Sequence, residues 1–399
     1  MRLVFVCLLL FAGVADAAEL PVFAARAETI DDSIEIGYGL AIADVDGDGA
    51  DDIVLCDARQ IAWYRNPGWD KFVIAENLTA RDHVCVAARD LDGDGKAKIA
   101  VGAEWNPGDT VNSGAVFFLE PPADRTQKWN VRKLPHEPTT HRMAWVRGAQ
   151  GGFQLAVLPL HGRGNKNGAG AGVKFFGYEW PWREAGKPGP LTGDRPPLHL
   201  THNFDVIAPS PLRPDAGETL LVAAKEGVYL IDPAATTPTP RTITTNAAGE
   251  VRAGTLPGGE GFVATIEPMH GNELAVYRAP DTRESYSGDW TANRVLLDDK
   301  LVQGHALATG DLLGIGSDQI VAGWRGASVP ATKVGIKLYA PSDESGATWT
   351  MHALVDDNTM ACEDLKVADL NRDGRPDMIA SGRATKNVVI YWNETQRSR

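Results

Sequence analysis

The chain has 399 residues, 43% of them hydrophobic, with 42 glycines and 25 prolines. That length admits two or three average domains or a single repeat fold, and the glycine and proline content implies many turns. The formal net charge of −13 repels phosphates, which excludes nucleic acid and anionic membrane surfaces as partners and suits a soluble protein that handles cations or neutral ligands.

The first element is a leader. Met1-Arg2 precedes an apolar run from Leu3 to Val14 and then Ala15-Asp16-Ala17. A charged start, an apolar stretch too short to span a bilayer and a small-x-small site predict a signal peptide over residues 1–17, cut after Ala17. The mature protein is therefore expected to be secreted or periplasmic. No later run is long enough for membrane insertion. Cleavage leaves Cys56, Cys85 and Cys362, an odd set that forms at most one disulfide and reads as small buried strand residues.

Val22 to Ile30 reads as an outer strand with no repeat before it. The repeats follow. Leu40–Ala43, the loop Asp44-Val-Asp-Gly-Asp-Gly-Ala-Asp-Asp52 and Ile53–Leu55 form the first copy. Val84–Ala88, the loop Asp90-Leu-Asp-Gly-Asp-Gly-Lys-Ala-Lys98 and Ile99–Val101 form the second. Four degenerate copies then begin at His141, His202, Glu250 and His305, with the acidic loop eroded. The last copy is Leu365–Ala368, Asp369-Leu-Asn-Arg-Asp-Gly-Arg-Pro-Asp377 and Met378–Ala380.

Each copy adds a third strand, such as Ile61–Tyr64, Val116–Leu119, Val173–Phe176 or Val388–Trp392, and often a fourth, such as Phe72–Ile74 or Trp349–His352. These runs are rich in β-branched and aromatic residues and are cut by Gly, Pro and Asp. Four strands in each of seven copies predict an all-β, seven-bladed β-propeller over residues 18–399. The last copy lacks a fourth strand, and the early N-terminal strand is expected to supply it and close the ring.

In the acidic loops alternate carboxylates converge while Gly makes a sharp turn, a spacing of hard oxygens that suits calcium. The expected ligands are Asp44, Asp46, Asp48 and Asp52 in the first loop, Asp90, Asp92 and Asp94 in the second, and Asp369, Asn371, Asp373 and Asp377 in the third. The second loop has Lys98 in place of its fourth carboxylate. Calcium here is expected to be structural.

Six or seven residues before each loop start stand Tyr38, His83, His141, His202, Glu250, His305 and Glu363. A strand advances about 20 Å over that distance, so these side chains belong at the blade end opposite the acidic loops, around the mouth of the central channel. The connections between second and third strands open on the same face and bring His161, Arg163, His270, Arg325, Arg383 and Lys386, with Glu104 and Trp105 in the second blade. One imidazole at a strand end is ordinarily structural. Four at one repeat position argue for a site, and neutral imidazoles with a carboxylate suit zinc or another divalent metal. The expected top-face ligands are His83, His141, His202 and His305.

At Glu137-Pro-Thr-Thr-His141, Pro159-Leu-His-Gly-Arg-Gly164, Thr201-His-Asn-Phe-Asp205, Glu267-Pro-Met-His-Gly-Asn272, Ala322-Gly-Trp-Arg325 and Ala380-Ser-Gly-Arg-Ala-Thr-Lys-Asn387 the chain resembles the propeller domain of the aldos-2-ulose dehydratase family, within the wider FG-GAP/VCBS calcium-loop repeat proteins. The resemblance implies a metal-assisted lyase that eliminates water, or a glycosyl group, from a keto-sugar. The fungal enzymes add cupin domains for a later isomerisation. None is read here up to Arg399, so that step is not expected. On this reading His161 or His270 is the base, Glu363 or a protonated His the acid, and Arg325 and Arg383 hold sugar hydroxyls or the developing enolate. The partner is a small carbohydrate. The alternative is a non-catalytic carbohydrate-binding or adhesion propeller with structural calcium loops, and glycoside hydrolysis also fits a metal, a base and an acid on one rim.

Overall fold

Runs that alternate β-branched or aromatic residues with Gly and Asp turns fold as four-stranded antiparallel sheets, and seven of these make up the protein. The computed structural model describes residues 20–149, 151–182, 188–191, 197–209, 215–235, 239–280, 288–328 and 330–396. The expected leader, residues 1–17, lies outside the described residues.

Blade 1 consists of Gly37–Ala43, Asp52–Asp57, Gln60–Arg65 and Asp70–Glu76, from the innermost strand outwards. Blade 2 follows with Cys85–Arg89, Lys98–Ala103, Ala115–Glu120 and Asn130–Leu134. Blade 3 has Thr140–Arg147, Phe153–Pro159, Phe176–Trp180 and the short Gly189–Pro190. Blades 4 and 5 begin with Thr201–Ile207 and Glu250–Thr255, blade 6 with Gly304–Gly310 and blade 7 with Cys362–Ala368. Among the described residues the only helix is a 3-10 turn at Thr291–Asn293, and no helix is long and apolar enough to cross a membrane.

The seven-bladed propeller expected from the repeats is what the chain forms. Its fourth strand in blade 7 is Ala25–Asp31, antiparallel to Val388–Asn393 with Ala25 opposite Asn393 and Thr29 opposite Val389. That strand starts later than the expected Val22. Asp31 ties it to blade 1 by accepting from Tyr64 Oη at 2.6 Å and Lys71 Nζ at 2.7 Å. The third strand of blade 3 is Phe176–Trp180, not Val173–Phe176. Val173 donates its amide to Leu198 O instead, so the pairing with the second strand begins only at Phe176 opposite Val157.

The core lies between blades. Leu40, Ile53 and Leu55 of blade 1 pack on Ile379, Val388 and Ile390 of blade 7, and Val146 and Leu158 of blade 3 on Leu220 and Val222 of blade 4. Each such side chain contributes roughly 1.5–3 kcal/mol when fully buried. Cys56, Cys85 and Cys362 are free and buried in these layers.

Candidate functional site

The innermost strands do not run regularly into the top face. In blades 1, 3, 6 and 7 the pairing with the second strand skips one residue, and the skipped residues are Tyr38, His141, His305 and Glu363. In blade 4 the irregular stretch holds His202 and Asn203. A bulge leaves its residue outside the ladder and re-aims the side chain. Here it brings residues from separate blades together.

Three imidazoles converge most closely. Ligand atoms of His202, His270 and His305 all lie within 4.8 Å of one another. The three rings stand 4.6 to 5.1 Å apart. His202 and His305 are almost fully buried, and His270 is half-buried on the turn that follows the second strand of blade 5, with a φ of 53°.

Hydrogen bonding sets their tautomers. His202 Nδ1 lies 3.2 Å from Gly249 O and 2.9 Å from Glu250 Oε1, and His305 Nδ1 lies 2.6 Å from Glu363 O. A carbonyl oxygen only accepts, so both Nδ1 atoms carry the proton and both Nε2 lone pairs are free. His202 Nε2 and His270 Nε2 stand 2.8 Å apart. At that distance either His270 Nε2 donates its proton to His202 Nε2 or a cation lies between the two nitrogens. Three converging imidazoles, two of them with Nδ1 held by a carbonyl, fit a divalent metal such as zinc.

The field at the site keeps the rings neutral. Desolvation, then the neighbouring Arg325, His202 and His270, hold His305 well below the ordinary imidazole value. Burial, followed by His202 and Arg325, pushes His270 down to about 2. Burial lowers His202 as well, against the opposing pull of Glu250. Neutral imidazoles are the form that ligates metal.

His141 sits beside the trio rather than in it. Its ring lies 4.7 Å from that of His202, Trp105 stacks on its other side at 4.8 Å, and Nδ1 bonds His202 O at 2.8 Å. Its Nε2 faces Arg142 Nη1 at 3.0 Å. His83 is placed elsewhere: Nδ1 bonds Asp57 O at 3.1 Å, and Nε2 accepts the Leu78 amide at 3.4 Å. Both its nitrogens serve the backbone, so the imidazole expected as a ligand in blade 2 is a buried structural one. His270, expected as a base, stands among the potential ligands. His161 is half-buried and is not one of the three converging imidazoles.

Glu363 connects the trio to the two expected arginines. Its carboxylate meets Arg325 Nη1 at 3.1 Å and Arg383 Nη1 at 3.0 Å, and stands 3.9 Å from His305 Nε2. Arg383 also lies over the Tyr38 ring at 5.4 Å. Arg142 is the neighbour that sequence reasoning missed. It follows His141 directly, and no repeat-position argument flags a residue one step off the aligned column.

The acidic loops occupy the other ends of the innermost strands. Asp44, Asp46 and Asp48 converge, as do Asp90, Asp92 and Asp94. Asp44 accepts the Gly47 and Gly49 amides, and Asp369 accepts those of Asp373 and Gly374. Asn371 and Asp373 bond each other. The fourth carboxylates behave differently from expectation. Asp52 is fully buried and accepts the Val45 and Asn66 amides, both at 2.8 Å. Asp377 does the same for Leu370 and Asn393, at 3.1 and 2.9 Å. In the second loop Lys98 Nζ lies 2.8 Å from Asp92 and 3.3 Å from Asp94.

Comparison with known proteins agrees with the fold. An FG-GAP-like repeat model matches residues 44–101, which takes in the first two acidic loops. No curated protein matches the sequence. Among solved structures, a chain of the mitotic checkpoint complex is 13% identical with a TM-score of 0.56, and the match covers 99% of this chain and 100% of that one. The Dos1 propeller is 8% identical with a TM-score of 0.55, over 90% and 78% of the two chains. The BBS1N chain solved with ARL6DN is 13% identical with a TM-score of 0.51, over 94% and 98%. At these identities the likeness concerns the fold alone.

Proposed function

We propose that this FG-GAP-repeat propeller is a secreted, metal-dependent carbohydrate lyase that eliminates water or a glycosyl group from a keto-sugar on its top face. One observation carries the reading: His202, His270 and His305, drawn from three blades, direct ligand atoms to within 4.8 Å of one another. A divalent metal held there supplies a Lewis acid for a carbonyl oxygen.

The chain's own groups do the rest. His161, half-buried on the same face, would take the proton from the C–H next to the carbonyl. Glu363 anchors Arg325 and Arg383, whose guanidiniums orient hydroxyls and the developing enolate. His141, backed by Trp105, shields the trio from bulk water. Calcium in the first and third acidic loops would stiffen the opposite face.

Metal analysis of the purified protein tests the site. About one equivalent of transition metal is expected, lost in His202→Ala and kept in His83→Ala. Incubation with keto-sugars is expected to yield an ultraviolet-absorbing enone. A metal-loaded protein that releases a saturated sugar is a hydrolase, and one that binds sugar without product is a binding module; either result overturns the lyase reading.

A further inference from the structure

Beside the trio, behind Glu363, the top face opens into a cleft of about 780 Å³ between blades 6, 7 and 1. Arg325, Arg383 and Lys386 line it, with Gln303, Glu35 and Ser328 among their neighbours. We propose that this cleft binds a carboxylate carried by the sugar, so that the substrate is an acidic sugar rather than a neutral one. The proposal rests on reading the top face as a sugar site.

Arg325, Arg383 and Lys386 face two carboxylates, Glu35 in the lining and Glu363 behind it, which leaves one cation in excess. On a chain with a net charge of −13, that local excess is a focused positive potential. The arginines are also held ready. The Arg325 side chain is only 10% exposed; Nη1 pairs with Glu363, Nη2 meets Gln303 Oε1 at 3.2 Å, and its buried Nε has no partner. Arg383 is fixed by Glu363 on one side and by the Tyr38 face at 5.4 Å on the other, while Tyr38 Oη donates to Asp82. Lys386 adopts a φ of 55°, a left-handed conformation that a lysine takes on only against some strain.

Two guanidiniums that share one carboxylate keep donors in reserve. Planar, forked donors pair bidentately with the two oxygens of an anionic group such as a carboxylate, which a neutral hydroxyl cannot offer. Gly326, Ala327 and Ala384 elsewhere in the lining are small enough to leave room for a sugar ring.

Isothermal titration of the metal-stripped full chain with D-glucuronate, glucose, glucose 6-phosphate and glucose 6-sulfate tests the proposal. Glucuronate is expected to bind about tenfold tighter than glucose. Lys386→Gln changes an exposed side chain and is expected to weaken glucuronate about threefold with no effect on glucose. Arg383→Gln is expected to remove most of the preference. Equal binding of glucuronate and glucose, tighter binding of the phosphate or sulfate, or equal losses for acid and neutral sugar in Lys386→Gln overturns it. Because no metal is present, failure of this titration leaves the metal and product assays standing, and their failure leaves this one standing.

Discussion

Lys98 shows how one residue changes the chemistry of a loop. Where the first and third loops have Asp52 and Asp377, the second has an ammonium that reaches back to Asp92 and Asp94. It stands in the space that a cation bridging those carboxylates would use. Lys98→Met is expected to cost about 1 kcal/mol without calcium, since the carboxylates are half-exposed and the pair is screened. It should also give a larger calcium-induced rise in melting temperature than the parent. Thermal unfolding with and without calcium measures both, and an unchanged calcium response would count against the internal cation. His83 carries a related lesson. It stands seven residues before its loop, whereas the other ring residues stand six before theirs. A one-residue slip in a strand of period two turns a side chain to the other face, and His83 accordingly packs between backbone groups. The histidine pattern was visible from sequence, but this slip decided which imidazoles meet.

Blades are held by two recurring devices. The bulge at Tyr38, His141, His305 and Glu363 points one side chain per innermost strand at the axis. At the other end, the first residue of the second strand clips the acidic loop. Asp52 takes the Val45 and Asn66 amides, Gln319 takes the Leu313 amide and Asp377 takes those of Leu370 and Asn393. Asp52→Ala leaves two buried amides without acceptors and is expected to cost about 2 kcal/mol or more. Urea unfolding checks this; a loss no greater than that of Asp48→Ala, which exposes no buried donor, would refute the clip. The acidic spacing was legible as a ligand pattern. That its last carboxylate faces inward was not, because the strand's own alternation sets that direction.

The closed ring couples these local features into one stability. Asp31, Tyr64 and Lys71 join the closing strand to blade 1, and Trp392 Nε1 bonds Glu28 at 2.7 Å within blade 7. Several imidazoles are buried in the neutral form near the axis, with His141, His202, His270 and His305 all lowered, desolvation first. The unfolded chain therefore binds more protons than the folded one below about pH 6.5. Their contribution is complete above that value and is lost as the pH falls through and below it. Burial acts with the opposite sign on Asp52, pushed up to about 7, and on Asp377, pushed up to about 6, so these two lose stability as the pH rises. Thermal unfolding of metal-free protein from pH 8 to 5 is expected to fall on the acid side, less steeply in the His141→Gln/His305→Gln double variant. Equal slopes would remove the imidazoles as the cause.

The architecture was readable from sequence because a propeller repeats its own unit: strand periodicity, Gly-Asp turns and a missing last strand recur often enough to fix the blade count and the closure. Local spacing likewise marked the loops and the column of histidines. The membership of the trio was decided only in three dimensions. His202, His270 and His305 come from different blades, one of them from a turn rather than a strand start, and their meeting depends on bulges and on the circular arrangement of sheets. Neither shows in residue spacing, because each arises from the way one strand packs and pairs against another.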